Sequence, residues 1–263
     1  MKIGNQGPGQ QGFNTLLQVQ QRQAEKQASA KRINSAADDA AGLQISNRLT
    51  SVINAQQQGQ RNLTDGVSMA NVYGQALRGI NDNLIELQRL SVAAGNGALN
   101  DADRQALQTE AEGYLSNIQR GLQTEFAGER LFSDRSLTFA TGDANVAFAT
   151  ADPTSVLNNN NLFSLNLTDA ATLSDAQLSI RDAQQLIGRL EAESGAANNM
   201  FQSAINSLSQ NSNSASAARS RITDMDYARA SADRAVANFQ TQASVSVTMQ
   251  ARISSERALS LLS

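Results

Sequence analysis

From Leu49 to Gln88 the chain keeps a 4,3 spacing through Leu49, Ile53, Gln56, Gln60, Leu63, Val67, Ala70, Gly74, Leu77, Asn81, Leu84 and Gln88, with Ile80 and Leu87 beside the weak positions. A heptad stripe sustained over that many repeats belongs to a long helix that seats one face against other helices. Extended over its flanks, Ala36 to Ala94, it predicts a helix on the order of 90 Å long at about 1.5 Å per residue. Gly95-Asn96-Gly97 then stops it, since glycine readily takes the left-handed conformation that closes a helix. A helix of that length does not fit inside a small globule, so the chain must be a bundle or a coiled coil.

The remaining segments supply partners for it. A second helix starts at Asn100 or Asp101 and uses Leu107, Ala111, Tyr114, Ile118, Leu122 and Phe126 before Gly128 breaks it, giving an antiparallel helical hairpin. From Leu131 the period falls to two: Leu137 and Phe139, then Val146 and Phe148, flank Gly142-Asp143-Ala144-Asn145, which predicts a β-hairpin. Asp152-Pro153 and the run Asn158 to Asn161 read as loop, and Phe163, Leu165 and Leu167 as one more short strand. Ser174 with Gln177 forms a capping box that opens a third long helix through Ala176, Ile180, Ala183, Ile187, Leu190, Ser194, Ala197, Phe201, Ala204 and Leu208. Asn211 to Ser216 reads as a polar interruption. The last helix, from Asp224, carries Ala232, Val236, Phe239, Ala243 and Val247 on one face, then Ile253, Leu259 and Leu262, although Val245 to Met249 alternates as a strand would. The first helix, from Phe13 after a glycine-rich opening, has a thin stripe of Phe13, Leu16, Leu17 and Val19 followed by alanines. Such a helix is marginal alone and needs a packed face. The fold class expected is mainly α: a long-helix bundle or coiled coil with a small β-hairpin region and paired N- and C-terminal helices.

Composition narrows the function. The chain has no cysteine and no histidine, which removes thiolate chemistry, disulfides, the commonest metal ligand and the usual general base. The net charge is −3 and the arginines are scattered among acids from Arg22 to Arg257, so no nucleic-acid footprint forms. No apolar run approaches the roughly 18 residues of a membrane span, and the N-terminus lacks the basic-then-apolar pattern of a cleaved signal. Asp38 and Asp39, three and four residues after Ser35, read as a helix start instead of an acid/base pair, which would need a buried cleft and a partner. No catalytic, cofactor-binding or metal-ligating residue is expected. The unfilled helical faces at the two ends point to self-assembly, with Phe13, Leu16, Leu17, Val236, Phe239, Val247, Ile253, Leu259 and Leu262 as subunit-packing residues.

Arg32-Ile33-Asn34-Ser35-Ala36-Ala37-Asp38-Asp39-Ala40-Ala41-Gly42-Leu43, with Ile45-Ser46-Asn47-Arg48, closely resembles the signature of bacterial flagellins at the spoke joining their inner and outer core. Ala218 to Ala228 is similar to the opening of the flagellin C-terminal core, and Leu259-Ser260-Leu261-Leu262-Ser263 to the flagellin terminus. The resemblance covers about residues 30 to 130 and 175 to 263. It implies a short, core-only flagellin: residues 1–32 and 223–263 as inner terminal helices, 33–48 as the spoke, 49–222 as the outer core bundle with a β-rich stretch at about 131–168, and no further outer domains. It also implies a helical homopolymer in the extracellular filament, exported by the flagellar type III apparatus without a cleaved signal. Its partners would be an export chaperone, the filament cap, the hook-filament junction proteins and other flagellins, with neither nucleic acid nor membrane insertion. A hook-filament junction protein, which shares the Ala94 to Gly97 segment, and a soluble coiled-coil adaptor are the other readings. The opening Met1-Lys2-Ile3-Gly4-Asn5 and Ala28-Ser29-Ala30-Lys31 depart from the usual flagellin N-terminus. In flagellins that Toll-like receptors recognise, the receptor face holds an arginine and a leucine on the long helix and a glutamate on its neighbour. The corresponding residues here are Glu86, Leu90 and Glu110, so the resemblance implies a charge reversal at Glu86 and a poor agonist.

Overall fold

The computed structural model describes residues 8–142, 144–169 and 171–260. Helix α1 spans Pro8–Ser29, α2 Ala40–Ala94 and α3 Asp101–Gly121. Two hairpins follow, β1 (Glu125–Phe126) with β2 (Glu129–Arg130) and β3 (Arg135–Ala140) with β4 (Asn145–Thr150), both antiparallel. Then come α4 (Thr154–Asn159), a 3-10 turn at Leu162–Ser164, α5 (Leu173–Thr223) and α6 (Tyr227–Ser260). The chain is therefore mainly helical with a small β region. It divides into two compact units, one of residues 54–212 and one formed by the chain up to residue 53 together with residues 213 onward.

In the unit of residues 54–212 the heptad stripe becomes the core. Leu63, Leu77, Ile80, Leu84, Leu87 and Leu90 of α2 are fully buried with Ala111 and Ile118 of α3 and Ile180, Ile187 and Phe201 of α5. The few aromatics are spent at the point where the hairpin meets the helices. Tyr73 packs on Phe132 and Phe148 at 5.0 and 5.8 Å between ring centres, and Phe201 on Phe139 and Phe148 at 5.1 and 6.1 Å. Aromatic edges and faces at such distances add to the gain from burial. Gly59 lets the β3–β4 turn approach α2, since a Cβ there would stand 2.6 Å from the Thr141 carbonyl oxygen. The α2–α5 contact is tied by a hydrogen bond at 3.0 Å from the buried Ser194 hydroxyl to the Ala70 carbonyl.

Several expected elements differ, each for a local reason. The second helix ends at Gly121, so Phe126 is on strand β1; Ala127 (φ 53°) and Gly128 (φ 82°) both take positive φ and close a tight hairpin turn of the kind that matches strand twist. Phe163 is half-buried and Leu165 and Leu167 are buried, but no strand forms, because with Leu162 they cover the bundle from a turn and an extended loop. Between the two loop stretches a short helix forms, α4 at Thr154–Asn159, which takes in Asn158 and Asn159, expected as loop. Ser174 lies inside α5, and the Gln177 amide donates to the Ser91 carbonyl of α2 instead of returning to a cap. Asn211 to Ser216 does not interrupt α5, and Val245 to Met249 lies within α6. Residues 8–12, read as part of the flexible opening, belong to α1, with Pro8 at the first helical position where a missing N–H costs little.

In the other unit, α1 packs against α6, and the two connectors between these helices and the rest of the chain clasp each other. The Arg32 N–H donates to the Thr223 carbonyl at 2.7 Å and the Met225 N–H to the Ala30 carbonyl at 3.1 Å. Helix α2 begins at Ala40, four residues later than the capping box suggests. Asp38 folds Ser35–Asp38 into a turn by accepting from the N–H groups of Asn34 and Ser35, both at 3.1 Å, and Asp39 is the residue that caps α2, accepting from the Gly42 N–H at 2.9 Å. A side chain at Gly42 would meet Asp39 Oδ2 at 2.5 Å and the buried Ile33 at 2.7 Å, which accounts for the glycine in this stretch. Helix α6 begins at Tyr227, where Asp226 accepts from the N–H groups of Ala228 and Arg229.

Candidate assembly surface

The two helices that pair at the ends of the chain leave their apolar residues outside. On α6, Val236, Phe239, Val247, Met249 and Ile253 are all more than half exposed, Phe239 at 73%. At about 100° per residue, Val236, Phe239, Ala243 and Val247 fall within an arc of roughly 80°. The residues of α6 that turn toward α1 are Ala230, Arg234, Ala237 and Thr241, on the opposite side, and of these Ala237 is buried. On α1, Leu16 is half-buried while Leu17 and Val19 are exposed. The stripe expected to pair the terminal helices is thus not what pairs them within one chain. It faces away, and the pairing is made by small and polar residues. Exposed apolar rows of this extent mark surfaces that other molecules cover.

Of the expected packing residues, the structure brings Val236, Phe239, Val247 and Ile253 onto the exposed side of α6 and Leu17 onto that of α1. The side chains of Phe13 and Leu259, and the whole of Leu262, lie outside the described residues. Met249 and Tyr227 were not anticipated; Met249 sits two residues from Val247, off the heptad that organised the reading, so periodicity passed over it.

At the foot of the pair, charge sets the joint. Lys26 Nζ lies 2.8 Å from Asp38 Oδ1. The Lys26 ammonium, and after it the N–H groups of Asn34 and Ser35, hold the Asp38 carboxyl well below the usual carboxylate range. The Asp224 carboxyl is lowered too, first by the Ser220 hydroxyl and then by that of Thr223. A groove of about 440 Å³ opens here, lined by Gln23, Lys26, Arg32, Asp224, Arg229 and Asp233 among others. These carboxylates serve as caps and pairs: Asp38 holds the joint and Asp226 starts α6. Among the described residues no group of acids has the spacing to hold a metal ion.

The residues expected on a receptor face separate into two kinds. Glu86 is half-buried and Glu110 exposed, and both are bound to Arg89, at 2.7 and 3.4 Å, which ties α2 to α3; Glu86 in turn raises the Arg89 pKa. Leu90 is fully buried, because it points with Leu87 and Ala94 into the core, and it offers no surface to a partner. The sequence matched residue types along α2 and had no means of telling its inner from its outer face at that position.

Comparison with known proteins decides the family. The bacterial flagellin N-terminal helical region matches residues 12–136, and the bacterial flagellin C-terminal helical region matches residues 172–262. The chain belongs to the bacterial flagellins. Over 120 residues, 45% of this flagellin, it is 45% identical to a flagellin of Serratia marcescens, and over 110 residues, 41% of its length, it is 44% identical to a phase 1 flagellin of Salmonella naestved. The matched stretches span only 34% and 22% of those relatives. Among solved structures, the crystal structure of Bacillus cereus flagellin is similar over 56% of this chain and 88% of its own, with a TM-score of 0.51 and 24% identity. A putative flagellar hook-associated protein from Vibrio parahaemolyticus is similar over 72% and 97%, with a TM-score of 0.52 and 15% identity. Both likenesses speak for the fold of this flagellin. No described helix is long and apolar enough to cross a membrane.

Proposed function

We propose that this flagellin is the structural subunit of a bacterial flagellar filament, a helical homopolymer whose copies meet through the outward faces of α1 and α6. The observation that carries the proposal is the apolar row Val236, Phe239 and Val247, turned away from the helix it is paired with inside the chain. Burying three such side chains stabilises an interface by about 1.5–3 kcal/mol each, and every copy presents the same row to its neighbours. On this reading the terminal helices are the inner layer of the filament, 33–48 the spoke and 49–222 the outer core. The subunit works by assembly and catalyses no reaction. It leaves the cell through the flagellar type III apparatus, and its further partners are an export chaperone, the filament cap, the hook-filament junction proteins and other flagellins. Seeded polymerisation followed by sedimentation and electron microscopy tests the proposal: wild type should form long filaments, and a chain that stays soluble at all concentrations with intact helicity overturns it.

For the α2–α3 face the reading is weak recognition by Toll-like receptors. The central cation the receptor meets in responsive flagellins is replaced by Glu86, and the nearby Arg89 is held by both Glu86 and Glu110. A reversed charge at a contact of this kind costs enough to weaken binding about a hundredfold. Glu86→Arg should raise receptor-reporter activity of the monomer, and potent signalling by wild type would refute the reading.

A further inference from the structure

The pairing of α1 with α6 is polar where most helix pairs are apolar. Along α1 a heptad of half-buried positions runs through Leu16, Gln20, Gln23 and Gln27, so three of the four are glutamines, and Gln20 and Gln27 reach α6. Their counterparts Ala230, Arg234, Ala237 and Thr241 keep the same period on α6. The hydrogen bonds between the rows are specific. The Gln20 amide donates to Asn238 Oδ1 at 3.0 Å and to Thr241 Oγ1 at 2.9 Å. The Gln27 amide donates to the Ala230 carbonyl at 2.9 Å, and its oxygen accepts from Arg234 Nη1 at 2.8 Å. Between them Gln23 Oε1 is buried with no hydrogen-bond partner.

A row like this is a poor device for tightness, since amides at the seam gain little on leaving water and an unpartnered oxygen loses outright. It is a good device for alignment. Leucines and alanines slide past one another at almost equal energy, whereas paired polar groups fit at one setting only, which is the best-attested use of a polar seam residue in coiled coils. A slip of α6 by one heptad would put Gln20 opposite Val245 and Thr248 and would leave Arg234 without Gln27. Because the outward row of Val236, Phe239 and Val247 is rigidly part of α6, the setting of the seam also fixes the height at which that row is presented.

We propose that Gln20 and Gln27 are the register-determining residues of the α1–α6 pair, aligning the apolar row that neighbouring subunits meet. The role of the row rests on the assembly reading above; the register of the pair does not. The absence of cysteine from the chain makes the test direct. Spin labels are attached at Gln18→Cys and Gln240→Cys, both exposed, and the distance between them is read in filaments diluted with unlabelled protein and in the soluble chain. Wild type should give one narrow distance. Gln20→Leu with Gln27→Leu should add a second population displaced by about 10 Å, one heptad of helix rise. Arg234→Met, which leaves α1 intact, should broaden the distribution in the same direction, while the off-seam Gln21→Leu should not. An unchanged narrow distance in both seam variants, a distribution already broad in wild type, or an equal shift in Gln21→Leu overturns the proposal. If wild type forms no filament the assembly reading falls, and the soluble chain decides the register.

Discussion

At the scale of single residues, the joint between α1 and α2 turns on one carboxylate. Asp38 is held below the usual range by Lys26 and two backbone N–H groups, so its ionised form favours the folded joint. A depressed carboxyl stabilises at every pH above its ordinary value near 4 and loses that contribution only as pH falls through the lowered one. The protection of the Asn34 and Ser35 amides, their exchange rate relative to the intrinsic rate at the same pH, should therefore hold constant from about pH 5 upward and fall only in strong acid, and Asp38→Asn should lower it at neutral pH. A loss of protection already between pH 6 and 5 would contradict the assignment. Gly59 makes a second residue-scale case. With Thr141 backbone 2.6 Å from any added Cβ, Gly59→Ala must displace the hairpin turn and should cost about 1–3 kcal/mol in urea unfolding, whereas Gly79→Ala, exposed within the same helix with nothing within 4 Å, should be neutral or stabilise by up to about 1 kcal/mol.

At the scale of elements, the long helices were legible because their period is written in leucines: Leu63 through Leu87 could have been placed against α3 and α5 from the sequence alone, and they are buried there. Where the reading failed, tertiary context outweighed a local signal. Asn211 to Ser216 is polar enough to suggest a loop, yet α5 runs through it, since a helix already under way adds a residue at little cost. Phe163, Leu165 and Leu167 alternate like a strand, but no described strand lies beside them to pair with, and they cover the bundle instead. For the terminal helices the residues of the apolar stripe were visible, while the direction they face was not, because the competing seam on α6 is built from Ala, Arg and Thr, which hydropathy does not register. Two expectations follow. Leu90→Ala should destabilise the 54–212 unit by about 2–5 kcal/mol, as a core residue does, with chemical denaturation as the measure. Phe239→Asp should leave helicity by circular dichroism intact while abolishing seeded polymerisation, since it would bury an unpaired charge between copies. Normal filaments from Phe239→Asp would exclude the outward face of α6 from the contact.

Taken whole, the molecule is cross-linked by neutral groups. The chain holds 21 basic and 24 acidic residues, yet the ion pairs that Lys26, Arg89 and Arg135 make all lie at or near the surface. In their place stand amide pairs between helices: Asn71 with Asn198 at 2.6 Å, Gln88 with Gln184 at 3.1 Å and Asn83 with Asn117 at 3.4 Å. Surface ion pairs weaken as salt shortens the screening length and amide pairs do not, so the urea midpoint of the 54–212 unit should shift little between about 0.05 and 0.5 M NaCl. A large fall would show that charge carries more of its stability than the geometry assigns. The same economy of side chains has a consequence at the α1–α6 seam, where Ala230 and Ala237 keep the facing surface of α6 low. Packed helices stand about 8–10 Å apart according to what lies between them, so these alanines let the pair come closer than larger residues at the same two positions would. In an isolated chain an extra ångström there is a small strain. In the helical polymer proposed above it would recur at every copy and could be absorbed only by the circumference, so the radius and curvature of the wall would be written in methyl groups.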